Sequence, residues 1–135
     1  MNELIGFIEF LTNNSEVITR NTKPTYMDHL TEKEKQALKE LVDELKKLYG
    51  DNLSHVILYG SKARGDATED SDIDILVVLK EFENISEERE KIHNVKWPIC
   101  WKYDLVISVI IRNEQEYLTR LSPLLLNIKK EGIEL

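Results

Sequence analysis

The chain holds one cysteine, Cys100, in 135 residues, with only five glycines and three prolines. A single thiol cannot close an internal disulfide and cannot build a Cys-rich zinc site. So little glycine and proline excludes collagen-like and low-complexity chains. Nothing approaches the roughly 18 consecutive apolar residues of a membrane span. Met1 to Leu11 is apolar but interrupted by Glu3 and Glu9, with no basic run ahead of it, so no secretory leader is expected and the default compartment is the cytoplasm. Positive charge is also short: 18 Lys and Arg against 25 Asp and Glu give a net charge of -7. That balance repels phosphate backbones and disfavours a protein that grips long nucleic acid. What is present is a globular composition, 41% hydrophobic and 32% charged. The length suits one domain with its own core.

Residues 1–30 read as an accessory segment. Leu4, Ile5, Phe7, Ile8 and Leu11 can line one side of a short helix that Asn13-Asn14-Ser15 would stop, and a polar stretch with Pro24 follows. Such a helix either docks on the domain's own core, the plainer reading, or meets a second subunit. From Thr31 the pattern sharpens. Thr31 and Glu34 form a capping box, Leu38, Leu41, Val42, Leu45 and Leu48 recur at helical spacing, and Gly50 stands where a left-handed stop belongs. His55 to Tyr59 and Ile73 to Leu79 read as buried strands, joined by a polar turn or short helix over Gly60 to Ser71. Ser86 is expected to cap a helix through Ile92 and Val95, kinked or restarted at Pro98. Asp104 to Ile111 alternates like a third strand, helices follow over Asn113–Arg120 and Pro123–Lys130, and Gly132 precedes a short apolar tail. The expected architecture is a small α/β sandwich whose sheet is covered by helices, over residues 31–135.

The chemistry concentrates in Leu58 to Leu79. Gly60-Ser61 closes one strand, and Asp72 and Asp74 open the next. Side chains two apart on a strand project to one side, so these carboxylates stand together. Paired carboxylates repel unless a divalent cation neutralises them, and hard oxygen donors suit Mg²⁺ or Mn²⁺. Gly60 allows close backbone approach, Ser61 adds a hydroxyl and turn amides, and Arg64 offers a positive fork for an anionic oxygen. Asp104, at the entrance of the next strand, would face Asp72 and Asp74 if the two strands are neighbours. Three carboxylates around two metals support in-line phosphoryl or nucleotidyl transfer.

Gly60-Ser61, ten intervening residues, then Asp72-Ile73-Asp74 resembles the signature of the DNA polymerase β-type nucleotidyltransferase superfamily. The fuller Gly-Ser-Lys-Ala-Arg-Gly with Ser-Asp-Ile-Asp is similar to its minimal nucleotidyltransferase branch, the MNT antitoxins paired with HEPN toxins. The similarity runs from about Thr31 to Leu135 and includes Ser122-Pro123 and Glu131-Gly132-Ile133. It implies a polymerase β-like nucleotidyltransferase fold, a small mixed sheet covered by helices, that uses ATP with two Mg²⁺ ions, Mn²⁺ being possible. Asp72 and Asp74 would bind both metals, Asp104 would help bind one and prepare the acceptor hydroxyl, and Gly60 and Ser61 would hold the triphosphate. The acceptor it implies is a tyrosine hydroxyl on a HEPN ribonuclease toxin. Relatives acting on nucleic acids or antibiotics carry extra domains that grip their acceptors, so a partner protein is the simplest acceptor here.

Plainer readings stand beside each of these. The stretch 61–74 holds Asp66, Glu69, Asp70, Asp72 and Asp74 against Lys62 and Arg64, which alone would describe a solvated acidic loop. Asp104 can simply end a loop, and Arg64 can pair with Asp66 or Asp70 to hold the turn. His29, His55 and His93 are far apart and read as structural. Trp97 and Trp101 share a helix face if Pro98 permits, with core packing the first expectation. Tyr59 and Tyr103 adjoin the motifs and either can pack against a base, while Cys100 reads as a small buried apolar residue. Two other functions remain open: an antitoxin that acts by complex formation alone, and a small-molecule nucleotidyltransferase whose pocket a homo-oligomer completes.

Overall fold

A computed structural model describes residues 29–135 except Glu69. The accessory helix expected at the N-terminus falls outside the described residues. Helix α1 (Glu32–Tyr49) starts at the predicted capping box: Glu34 N donates to Thr31 Oγ1 at 3.1 Å and Thr31 N donates to Glu34 Oε1 at 2.9 Å. Its stripe Ala37, Leu38, Leu41 and Leu45 is buried. Each of its leucines contributes about 1.5–3 kcal/mol on burial. Gly50 ends the helix at positive φ (+53°) but with ψ -127°, and opens a single 3₁₀ turn, Gly50–Asn52, instead of the left-handed stop.

Strand β1 (Leu53–Tyr59) pairs antiparallel with β2 (Ile73–Leu79), and the short helix α2 (Ser61–Arg64) sits in the connection. Helix α3 (Ile85–Tyr103) then crosses back, so that β3 (Ile107–Asn113) lies parallel to β2. Helices α4 (Glu114–Thr119) and α5 (Pro123–Glu131) follow, and the two-residue β4 (Ile133–Glu134) adds antiparallel to β1. The sheet order is β3-β2-β1-β4. Along β2 the side chains alternate between two cores. Ile73, Ile75, Val77 and Leu79 join the larger one with α1 and α3, whereas Leu76 and Val78 pack with Ile57, Leu125 and Ile128 beneath α5. The expected helix-covered sheet is thus a mixed, four-stranded one.

Four local expectations change. Asn84 caps α3, its Oδ1 accepting from Ser86 N at 2.9 Å, so Ser86 is already inside the helix. Pro98 does not interrupt α3: it and Asn94, whose carbonyl its missing N–H would have met, both lie on the exposed side of the helix. The third strand starts at Ile107, three residues late: Asp104 adopts φ +55° as the left-handed cap of α3, and its N–H and that of Leu105 both donate to Cys100 O. Trp97 and Trp101 share a face as their spacing predicts, yet that face is exposed, and Ile92, Ile99 and the buried Cys100 point inward instead. Polar bonds tie α3 to α1, with Tyr49 Oη donating to Glu88 Oε1 at 2.8 Å and Tyr103 Oη donating to Glu40. Tyr103 is therefore engaged between helices, away from Asp74. Among the described residues, no helix is long and apolar enough to cross a membrane.

Candidate active site

Asp74 is the second residue of β2, paired with Tyr59 of β1 on one side and Ser108 of β3 on the other. By strand alternation its carboxyl lies on the α5 face of the sheet, in line with Leu76 and Val78 but beyond the ground that α5 covers. Asp72 lies just ahead of the strand on the same side, its Oδ2 accepting from Ser108 Oγ at 3.4 Å. Burial first, and then the neighbouring Asp72 charge, push the Asp74 carboxyl above the usual carboxylate range, while Arg64 pulls it down. Tyr59 is pushed up by burial and by Asp74, with Arg112 opposing. Among the described residues, neither Asp72 nor Asp74 has an ion-pair partner within 4.0 Å.

The turn after β1 is built around this pair. Gly60 takes φ +78°, a region unfavourable to side chains, and a Cβ there would lie 2.4 Å from Asp74 Oδ2. Gly60 therefore lets the backbone press against the carboxylate. Its carbonyl accepts from Ala63 and Arg64, so the Ser61 and Lys62 amides at the start of α2 have no partner within the helix. Gly65 ends α2 in the left-handed conformation against the His29 ring.

Arg64 holds the turn instead of standing free. Its Nε donates to Asp66 at 3.1 Å and its Nη1 to Glu131 at 2.9 Å, so it pairs with Asp66, as one reading expects, and with a residue of α5. Asp104 does not converge with the aspartate pair. It lines an open cleft of about 560 Å³ with Glu34, Lys62, Thr68, Asp70 and Leu105. Among the described residues no three His, Cys, Asp or Glu side chains come together as a metal-binding group. The position lateral to Asp74 on β3 belongs to Ser108, which only the sheet register reveals.

The sequence reading also passed over Lys62, a lysine buried to 4% exposure. Its Nζ meets Glu34 Oε2 at 2.6 Å and donates to Thr68 O at 3.2 Å, joining α1, α2 and the loop that leads to Asp72. Burial alone would push the Glu34 carboxyl up, but the Lys62 ammonium and the Thr31 N–H outweigh it and hold it below the usual range. Within the string Gly-Ser-Lys-Ala-Arg-Gly nothing distinguishes a buried lysine from a solvated one.

Two unpaired carboxylates and no fixed cation make a site that fits hard divalent metals, since Mg²⁺ is commonly held by one or two carboxylates with substrate phosphates completing its shell. A mixed sheet presents this pair against the Gly60-Ser61 turn. The family described as Nucleotidyltransferase domain matches residues 38–134, and the chain belongs to it. Two proteins of Methanocaldococcus jannaschii, each named "Putative protein adenylyltransferase", are 40% identical to it. One aligns over 76 residues (56% of this chain, 76% of the relative), the other over 83 (61% and 76%). Among solved structures, a Sulfolobus solfataricus protein described as "a putative nucleotidyltransferase" is matched over 86% of this chain and 90% of its own at 22% identity, TM-score 0.48. A toxin–antitoxin complex with AMP-PNP covers 70% of this chain and 68% of its own at 18% identity, TM-score 0.48.

Proposed function

We propose that the protein transfers AMP from ATP to a hydroxyl group of a partner protein. The observation that carries this is the unpaired Asp72–Asp74 couple pressed against the Gly60 turn. Asp72 and Asp74 would hold Mg²⁺, with Mn²⁺ as substitute, and Gly60 and the Ser61 and Lys62 amides would bind the triphosphate. A bound divalent cation supplies charge neutralisation at the α-phosphate and eases ionisation of the acceptor hydroxyl. The acceptor oxygen forms a bond to the α-phosphorus, the bond from that phosphorus to the bridging oxygen breaks, and pyrophosphate leaves with the electron pair. Arg64 reaches a phosphate only by releasing Asp66 or Glu131.

A protein acceptor is supported by the names of the Methanocaldococcus relatives, and a HEPN-type toxin with a tyrosine target by the motif resemblance. Asp104 enters the proposal through that resemblance, and it reaches the aspartate pair only if the turn over 104–106 rearranges when the site is loaded. Activity of Asp104→Asn decides this: a loss as deep as that of Asp72→Asn places it in the loaded site, and near-normal transfer confines it to the turn. The test of the whole reading is mass spectrometry of a candidate HEPN partner incubated with the protein, ATP and Mg²⁺. Gains in units of AMP, absent with Asp72→Asn/Asp74→Asn, support it. A stable complex with no gain leaves inhibition by binding, and neither gain nor complex points to small acceptors.

A further inference from the structure

The chain's only two tryptophans stand together on the outer face of α3, Trp97 with 51% and Trp101 with 71% of its surface exposed. They extend a ladder. His93 stacks on Trp97 with ring centroids 5.8 Å apart, Trp97 meets Trp101 edge-on at 5.8 Å, and Arg89 precedes His93 by one turn. Residues four apart are neighbours on a helix surface, so Arg89, His93, Trp97 and Trp101 form one continuous row. Beside its first two rungs lies a cleft of about 260 Å³ between α3 and β3, lined by Arg89, Ile92, His93, Lys96, Val109 and Ile111. Its floor is aliphatic and its rim cationic, the combination that receives an aromatic ring through apolar contact and cation–π attraction. Neither Arg89 nor Lys96 pairs with a carboxylate among the described residues. The cleft opens at the edge of the sheet, because β3 is an end strand.

We propose that this face joins two copies of the chain about a two-fold axis, with α3 antiparallel to α3 and Trp101 of each copy seated in the α3–β3 cleft of the other. The row is self-complementary in that direction. Reversed against itself, it sets Arg89 opposite the second copy's Trp101 and His93 opposite the second copy's Trp97, so every rung meets a ring or a cation that suits it. A different, acidic protein would answer Arg89 and Lys96 but would leave unmatched the presence of ring and receptacle on one face. Size places the contact at the weak end. A tryptophan buries about 150–250 Å². With half to two-thirds of that still outstanding, the two rings supply roughly 200–300 Å² of the ~800 Å² per partner in a standard interface. The rest would have to come from the other rungs and the rim of β3, so the contact is expected to be weak, with association in the micromolar range.

This inference is independent of the nucleotide chemistry and is read on the 135-residue chain alone. Because both tryptophans lie on the face in question, intrinsic fluorescence reports on it without labelling. As concentration rises through the micromolar range, sedimentation should show the mass moving from one chain toward two. Tryptophan emission should shift to the blue and acrylamide quenching should fall over the same range. Trp101→Ala and Arg89→Glu should each weaken association by about tenfold or more while circular dichroism stays unchanged. Arg89→Glu keeps both reporters, so its blue shift should move to about tenfold or more higher concentration. A one-chain mass throughout overturns the proposal, as does a dimer that survives both substitutions. Tryptophan emission already blue and protected at one-chain mass also overturns it, since residues 1–28 would then be covering the face.

Discussion

Gly60 and Asp74 show how closely one residue's freedom is tied to another's charge. A methyl group at position 60 would meet Asp74 Oδ2 at 2.4 Å and would sit on a backbone with φ +78°. Gly60→Ala should cost about 1–3 kcal/mol of stability and displace the carboxylate, lowering nucleotidyl transfer by more than tenfold. A urea titration and an AMP-transfer assay on the same preparation check the two effects. Asp74 itself works against the unliganded fold. Its carboxyl is held above the usual range by burial and by Asp72, so the folded state favours the protonated form and the ionised group destabilises at neutral pH. Asp74→Asn should therefore stabilise the metal-free protein, by at most about 1 kcal/mol because water still screens the pair, while abolishing transfer. Adding Mg²⁺ should raise the thermal midpoint of the wild type and leave that of Asp72→Asn/Asp74→Asn unmoved, because only a site that binds in the folded state shifts the equilibrium. Two thermal scans, with and without the metal, suffice.

Among the elements, the start of α1 carries more than a cap. Glu34 accepts from the Thr31 amide with one oxygen and meets the Lys62 ammonium with the other, and Lys62 also holds the Thr68 carbonyl. Removing one member of a buried pair strands the other charge, so Glu34→Ala should cost about 3–5 kcal/mol, whereas Thr31→Ala loses only the cap, about 1 kcal/mol. Chemical denaturation of the two variants measures the gap. Glu34 also sets an acid limb. Its folded carboxyl lies below the ordinary 4.5, so its stabilisation is complete above that pH and is lost as pH falls through the lower folded value. Asp74, raised rather than lowered, has the opposite sign over the same acid range. The stability advantage of Asp74→Asn over the wild type should consequently shrink as pH falls through the Asp74 range, because protonation relieves the wild-type carboxyl and the variant has no such group.

At the scale of the molecule, the last residues close the sheet. Leu135 N donates to Val56 O at 2.8 Å, Glu134 pairs with His55 at 2.9 Å, and Ile57 and Leu58 take Glu134 and Ile133 as strand partners. Deleting residues 133–135 leaves β1 with an open edge of apolar sequence, a known route to association. The truncated chain should aggregate on heating where the full chain unfolds without light scattering.

Much of this was legible without coordinates, because it is local. The capping box at Thr31 and Glu34, the buried runs of β1 and β2, and the Gly60-Ser61 and Asp72-x-Asp74 spacing are properties of neighbouring residues obeying fixed periods. From these the fold class follows, and the motif spacing carries the resemblance to the family that the chain belongs to. What the tertiary structure alone decided are pairings across the chain. Whether Ser108 or Asp104 stands beside Asp74 depends on where α3 stops, and the left-handed turn at Asp104 delays β3 to Ile107. That Lys62 is buried depends on Glu34, nearly thirty residues earlier, arriving at the same point. Periodicity set Trp97 and Trp101 on one face, but which face α1 and the sheet would cover is a matter of packing, and they left that one to solvent.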